Sequence, residues 1–119
     1  MTYHEKISYV EFPSKDLKVT QKFFTEVFGW TFESYGPDYV AIHNAGLDGG
    51  FYTSNHVCSS DNGSALVVLY SQKLEETQAK IEAAGGKIIQ PTFAFPGGRR
   101  FHFADPNGNE YAVWTDMGA

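Results

Sequence analysis

Residues 17–30 read LKVTQKFFTEVFGW. Leu17, Phe24, Val27 and Phe28 fall on one face of a helix with 3.6 residues per turn. Ser14 and Asp16 stand just ahead, where capping side chains are preferred. Gly29 stands where a helix end takes a left-handed residue. The spacing predicts a helix. Upstream, residues 6–12 (KISYVEF) alternate and stop at Pro13, the pattern of a strand. Downstream, residues 30–34, 38–43 and 50–54 read as three short strands. The order is β-α-β-β-β.

Residues 55–63 (NHVCSSDNG) are polar and rich in turn formers, which predicts a linker. The pattern then restarts. Residues 65–70 (ALVVLY) read as a strand. Residues 73–84 read as a helix with Leu74, Ile81 and Ala84 on one side, ending at Gly85-Gly86. Residues 87–93, 99–104 and 110–115 read as strands. Leu17 and Leu74, Phe24 and Ile81, and Gly29 and Gly86 are each 57 residues apart. Three landmarks at one offset predict an internal repeat with units at about 6–54 and 64–116. The expected fold is α+β: two tandem βαβββ units whose curled mixed sheets enclose a cavity, in one domain over residues 1–119.

The last two strands form a hairpin, RRFHFADPNGNEYAVW over residues 99–114. Pro106 presets one backbone angle and Asn107-Gly108 accept a positive φ, so residues 105–109 read as its turn. Asp105 is placed to bond backbone amides there.

Composition narrows the function. The chain has 119 residues, 42% hydrophobic and 16% aromatic, enough for a folded core. Fourteen acidic residues against nine basic ones give a formal charge of −5, which disfavours nucleic acid and anionic membranes as partners. No apolar run is long enough to span a bilayer, and the first residues lack the pattern of a signal peptide. Cys58 is the single cysteine, so a reducing cytoplasm is the expected location. No phosphate loop, nucleophile elbow or sustained apolar heptad is present.

FFTEVFGW after the first strand and FHFADPNGNEYAVW at the end resemble the vicinal oxygen chelate superfamily. This family includes glyoxalase I, extradiol dioxygenases, fosfomycin resistance enzymes and bleomycin-binding resistance proteins. The resemblance covers residues 6–115. It implies metal ligands, usually His, Glu or Gln, on the first and last strand of each unit. Carried over one by one, those positions are Tyr9, Leu66, Ala112, and Gly50 or Phe51. A lone Tyr among them does not hold zinc, nickel or iron, which want three or four donors. The expectation is no metal and no cofactor. One other pairing is open: His43 and His102 are 59 residues apart, near the repeat offset, and would form an unusual metal site if symmetry joined them.

Strand alternation assigns faces. Val10, Phe12, Phe101, Phe103, Tyr111 and Val113 are expected under the helices. Ile7, Tyr9, Glu11, Leu66, Val68, Tyr70, Arg100, His102, Glu110, Ala112 and Trp114 are then expected on the cavity side. The candidate ligand-binding residues are Tyr9, Glu11, Phe51, Leu66, Arg100, His102, Glu110 and Trp114, with no catalytic residue assigned. Arg99 and Arg100 together are candidates to hold an anion. Three functions compete. The first is a metal-independent binder of a small organic molecule, of the bleomycin-resistance type. The second is a glyoxalase-like lyase or isomerase with His102 or Glu11 as general base. The third is a structural or interaction module with a filled cavity. A homodimer is expected, by analogy with family members of this size.

Overall fold

A computed structural model describes residues 3–117. The elements run β1 (Val10–Ser14), α1 (Leu17–Phe28), β2 (Thr31–Ser34), β3 (Tyr39–His43) and β4 (Gly49–Thr53). A 3-10 turn follows at Ser60–Asn62. Then come β5 (Val67–Tyr70), α2 (Leu74–Ala83), β6 (Lys87–Phe95), β7 (Gly98–Ala104) and β8 (Glu110–Thr115). The βαβββ order occurs twice, as the 57-residue offset predicts.

Each unit makes one four-stranded mixed sheet, in the orders β1-β4-β3-β2 and β5-β8-β7-β6. The first strand of each unit pairs in parallel with the last, and the other pairs are antiparallel. A parallel pair needs a long crossover. The helix and two strands between β1 and β4, and between β5 and β8, supply it.

Asp16 caps α1 by accepting from the Lys18 and Val19 amides, and Gly29 closes it at φ 72°. Ser14 ends β1 instead of capping; its hydroxyl bonds Thr20 Oγ1 at 2.8 Å. Two strands run through prolines where the sequence pattern predicts a stop or a shorter strand. β1 includes Pro13, and β6 passes Pro91 to reach Phe95. Both are edge strands, where a missing N–H can face away from the ladder. β6 accommodates its proline with register shifts on either side of Gln90.

Helix α1 packs against both sheets. Phe24, fully buried, stacks on Trp30 at 4.5 Å and Phe51 at 5.7 Å and meets Tyr111 edge-to-face at 5.3 Å. Phe23 lies 6.1 Å from Phe103, and Phe12 bridges Phe51 and Tyr111. One aromatic core therefore spans both units. Burying each such side chain contributes about 1.5–3 kcal/mol. Phe51 corrects the expected cavity wall. It pairs in register with Phe12, so both point under α1, and it has no exposed surface.

Asp105, Asn107 and Asn109 make the β7–β8 turn a clamp. Asp105 Oδ1 accepts from the Asn107 and Asn109 amides, and its other oxygen accepts from the Tyr111 hydroxyl. Asn109 Nδ2 donates to the Pro13 carbonyl at 2.6 Å, while its Oδ1 accepts from the Cys58 amide at 2.8 Å. Asn107 Nδ2 donates to Asp16 O and Thr20 Oγ1. The turn thus ties the second unit to the first unit and to the linker. No helix among the described residues is long and apolar enough to cross a membrane.

Candidate functional site

The helices cover one face of each sheet, and the other face carries the polar residues. On the second sheet, register aligns Tyr70, Trp114, Arg100 and Phe93 in one row across four strands. The next row is Val68, Ala112, His102 and Gln90. Alternation on β7 sends Phe101 and Phe103 into the core and Arg100 and His102 to this outer face.

His102 Nδ1 lies 2.9 Å from Glu110 Oε2. Glu110 sits two residues from Ala112 on β8, so it shares that face. The linker folds over it: the Ser60 amide and hydroxyl donate to Oε1 at 2.8 and 2.9 Å. Burial raises the Glu110 carboxyl, but the His102 and Ser60 bonds outweigh it and hold the group below its ordinary value. An ionised Glu110 only accepts, so Nδ1 carries the proton. Nε2 is the free end of the imidazole, buried and without a partner among the described residues.

The Arg100 guanidinium lies 5.3 Å from the Phe93 ring centre and 5.7 Å from that of Phe95. Its Nε is buried and has no partner among the described residues. Phe93 also lies 5.9 Å from the His102 ring. Trp114 continues the aromatic surface, 6.3 Å from Phe95 and 5.1 Å from Tyr70. Leu66 is half-buried just before β5. Arg99 is not part of this face: it pairs with Glu75 on α2.

On the first sheet the outer face carries Glu11, Gly50, Ala41 and Glu33 in one register row. The Tyr39 hydroxyl donates to Glu11 Oε2 at 3.0 Å and meets the Tyr9 hydroxyl at 2.5 Å. Burial, with Tyr9 and Glu11 beside it, pushes the Tyr39 hydroxyl well above its ordinary value. Its ring lies across Gly50, where an added Cβ would stand 2.0 Å from the hydroxyl. Sequence reasoning missed both Tyr39 and Ser60. Tyr39 had one available signal, its place on the same face as Ala41, opposite a glycine.

The eight expected residues divide three ways. Tyr9 and Glu11 lie on the first sheet's outer face. Leu66, Arg100, His102, Glu110 and Trp114 belong to the second unit, and Phe51 to the core. Among the described residues no hydrogen bond, ion pair or ring contact joins the first group to the second. An apolar hollow of about 630 Å³ lies elsewhere, between the β1 and β5 edges. Phe28, Trp30, Ile42, Leu47, Val67 and Leu69 line it, and none of the eight does.

The metal-ligand positions resolve on register. Gly50 stands opposite Glu11 as Ala112 stands opposite Val68, so Gly50, not Phe51, is the counterpart of Ala112. Leu66, Gly50 and Ala112 carry no donor atom, and the Tyr39 ring occupies the space over Gly50. This donor set does not fit a metal ion. Among the described residues no group of three or more His, Cys, Asp or Glu is arranged to hold one. His43 and His102 are not symmetry mates. His102 faces Ala112, whereas the residue facing Gly50 is Ala41, two positions before His43. His43 instead lies 3.4 Å from Glu33.

Tandem βαβββ units joined through one core, with an aromatic and charged outer face, define a glyoxalase-type fold. The chain belongs to the Glyoxalase/Bleomycin resistance protein/Dioxygenase superfamily, whose model matches residues 6–113. A curated relative is the anthracycline biosynthesis protein DauV of Streptomyces sp. (strain C5), 27% identical over an alignment 119 positions long that covers 85% of this chain. The match covers 43% of that protein, so the chain spans less than half its length. The fosfomycin resistance protein FosX of Listeria monocytogenes superposes with a TM-score of 0.77 at 18% identity, covering 98% of this chain and 96% of that one. TioX of Micromonospora sp. ML1 superposes with a TM-score of 0.70 at 19% identity, covering 94% and 99%. At these identities the two structures speak for the fold alone.

Proposed function

We propose that the chain is a metal-independent binding protein for a small organic molecule, of the glyoxalase/bleomycin-resistance type, and that the outer face of the second sheet takes the ligand. One observation carries this reading. Three of the four family ligand positions, Gly50 in the first unit and Leu66 and Ala112 in the second, lack a donor atom, while the second sheet's outer face presents Trp114, Tyr70, Phe93 and Phe95 around Arg100 and His102. Aromatic walls with a few placed polar groups suit small ligands. The relative named for anthracycline biosynthesis supports an organic molecule as the ligand. A thermal-shift screen of planar aromatic and amphipathic compounds in chelator tests the reading, because a ligand specific to the folded state raises the melting temperature. Shifts with one chemical class support it, and no shift across the set contradicts it.

A second reading, a lyase or isomerase, rests on the His102–Glu110 pair. A carboxylate on Nδ1 leaves Nε2 as the proton acceptor, the arrangement a general base needs. Turnover of the methylglyoxal–glutathione adduct in chelator supports that reading, and loss of turnover in His102→Gln ties it to the imidazole.

The protein is further proposed to be a homodimer. β1 and β5 are free sheet edges. Ile7 (82% exposed), Leu47 and Tyr70 stand around the apolar hollow between them. Light scattering at twice the chain mass supports this, and a monomer at micromolar concentration contradicts it. A cytoplasmic location is proposed from the lone thiol of Cys58.

A further inference from the structure

The second sheet's outer face holds a cation with no counter-ion among the described residues. Arg99 has its carboxylate in Glu75, but Arg100, the next residue, has no described acid within ion-pair distance. Its guanidinium instead rests against Phe93 and Phe95. Such stacking uses the plane of the group and leaves its N–H edge for in-plane acceptors. Two residues along β7, on the same face, His102 Nε2 is also without a partner among the described residues. Buried polar atoms are nearly always bonded, so two orphans on adjacent rows call for an explanation.

We propose that Arg100 and His102 form an anion subsite for the carboxylate of a planar aromatic acid. The inference rests on the reading of this face as a ligand site and names the ligand class. The acid's ring stacks on Phe95 and Trp114, a proton is taken up at His102 Nε2 on binding, and the carboxylate takes the N–H edge of Arg100 and that Nε2–H. Glu110, itself held by Ser60, is a positioning residue: its bond to Nδ1 fixes the imidazole with Nε2 toward the ligand. Phe93 lies against both orphan groups and follows a register shift in β6, where pairing to β7 is interrupted. The incoming ring takes the place of the Phe93 ring and uncovers the two nitrogens. An edge strand with a bulge re-aims a side chain at small cost.

Titration calorimetry of the full chain tests this with 2-naphthoate and its uncharged analogue 2-naphthamide. The expected result is tighter binding of the naphthoate, by about tenfold or more, the value of one hydrogen bond to a charged group. Arg100→Met, whose melting temperature checks its folding, removes that preference while naphthamide binds as before. Arg100→Lys restores part of it. Glu110→Gln lowers the preference and shifts the His102 imidazole nitrogen signals in the NMR spectrum, which a role confined to the linker would leave in place. Equal binding of the two compounds by the unaltered protein overturns the anion subsite and leaves the binding face standing. Binding of neither overturns both.

Discussion

Asn109 offers a sharp test of how the two units are held together. It is fully buried, and its side chain serves two segments far away in sequence. Nδ2 donates to the carbonyl of buried Pro13, and Oδ1 accepts from the Cys58 amide. Asn109→Ala strands both backbone groups. A buried donor or acceptor left unpaired costs about 1–3 kcal/mol, so the pair costs about 2–6 kcal/mol. That is a large share of the roughly 5–15 kcal/mol that stabilises a small domain. For a chain of this length the melting temperature falls by roughly 10–20 °C. Asn107→Ala is the control. Its side chain donates to Ser14, Thr20 and the Asp16 carbonyl, and each of these has another partner: the two hydroxyls bond each other, and Asp16 O accepts from the Thr20 amide. Its expected cost is therefore only about 1 kcal/mol. Urea unfolding followed by tryptophan fluorescence compares the two at constant m-value. If Asn109→Ala loses no more stability than Asn107→Ala, the orphaned-partner reasoning is refuted.

Three further outcomes are expected. Gly50→Ala drives a methyl into the Tyr39 side chain and breaks its bonds to Tyr9 and Glu11; it costs about 1–3 kcal/mol, and the loss largely vanishes in a Tyr39→Ala background, as a double-mutant cycle will read. Phe24→Ala removes the ring shared by Trp30, Phe51 and Tyr111 and costs about 3–5 kcal/mol in calorimetry. Glu110 contributes stability that depends on pH. Its folded carboxyl is held below the ordinary 4.5, so the contribution is complete above that value and is lost as pH falls through the depressed one. The stability gap between the unaltered protein and Glu110→Gln is accordingly flat near neutrality and narrows below about pH 4.5. Asp105 titrates with the opposite sign, because burial raises its carboxyl. Only the difference between the two proteins isolates Glu110.

Local signals carried much of the architecture. The capping Asp16, the left-handed Gly29 and the 57-residue offset are written in short windows, and each appears in the helices and the repeat. The parity of β7 and β8 was readable because Phe101, Phe103, Tyr111 and Val113 are large and apolar on one face only. What escaped depends on pairing between distant segments. The face of Phe51 follows from its register with Phe12, which no local pattern states. Strands crossing Pro13 and Pro91 are allowed by their edge positions, known only once the sheets assemble. Ser60 reads as one more polar linker residue, yet the fold brings it onto Glu110 fifty positions away. The site was legible as a list of residues on β7 and β8, whereas their separation from Tyr9 and Glu11 follows from the shared core.

Metal independence is the central claim, and binding measured with and without metal tests it most directly. The protein, purified without a histidine tag and stripped with chelator, is titrated with a compound that raises its melting temperature. The titration is then repeated after adding Mn²⁺, Zn²⁺ or Ni²⁺. The account predicts the same affinity in every case, because Leu66, Gly50 and Ala112 offer the metal nothing. Binding that appears only once a metal is added, with stoichiometric metal retained by the protein, would contradict it.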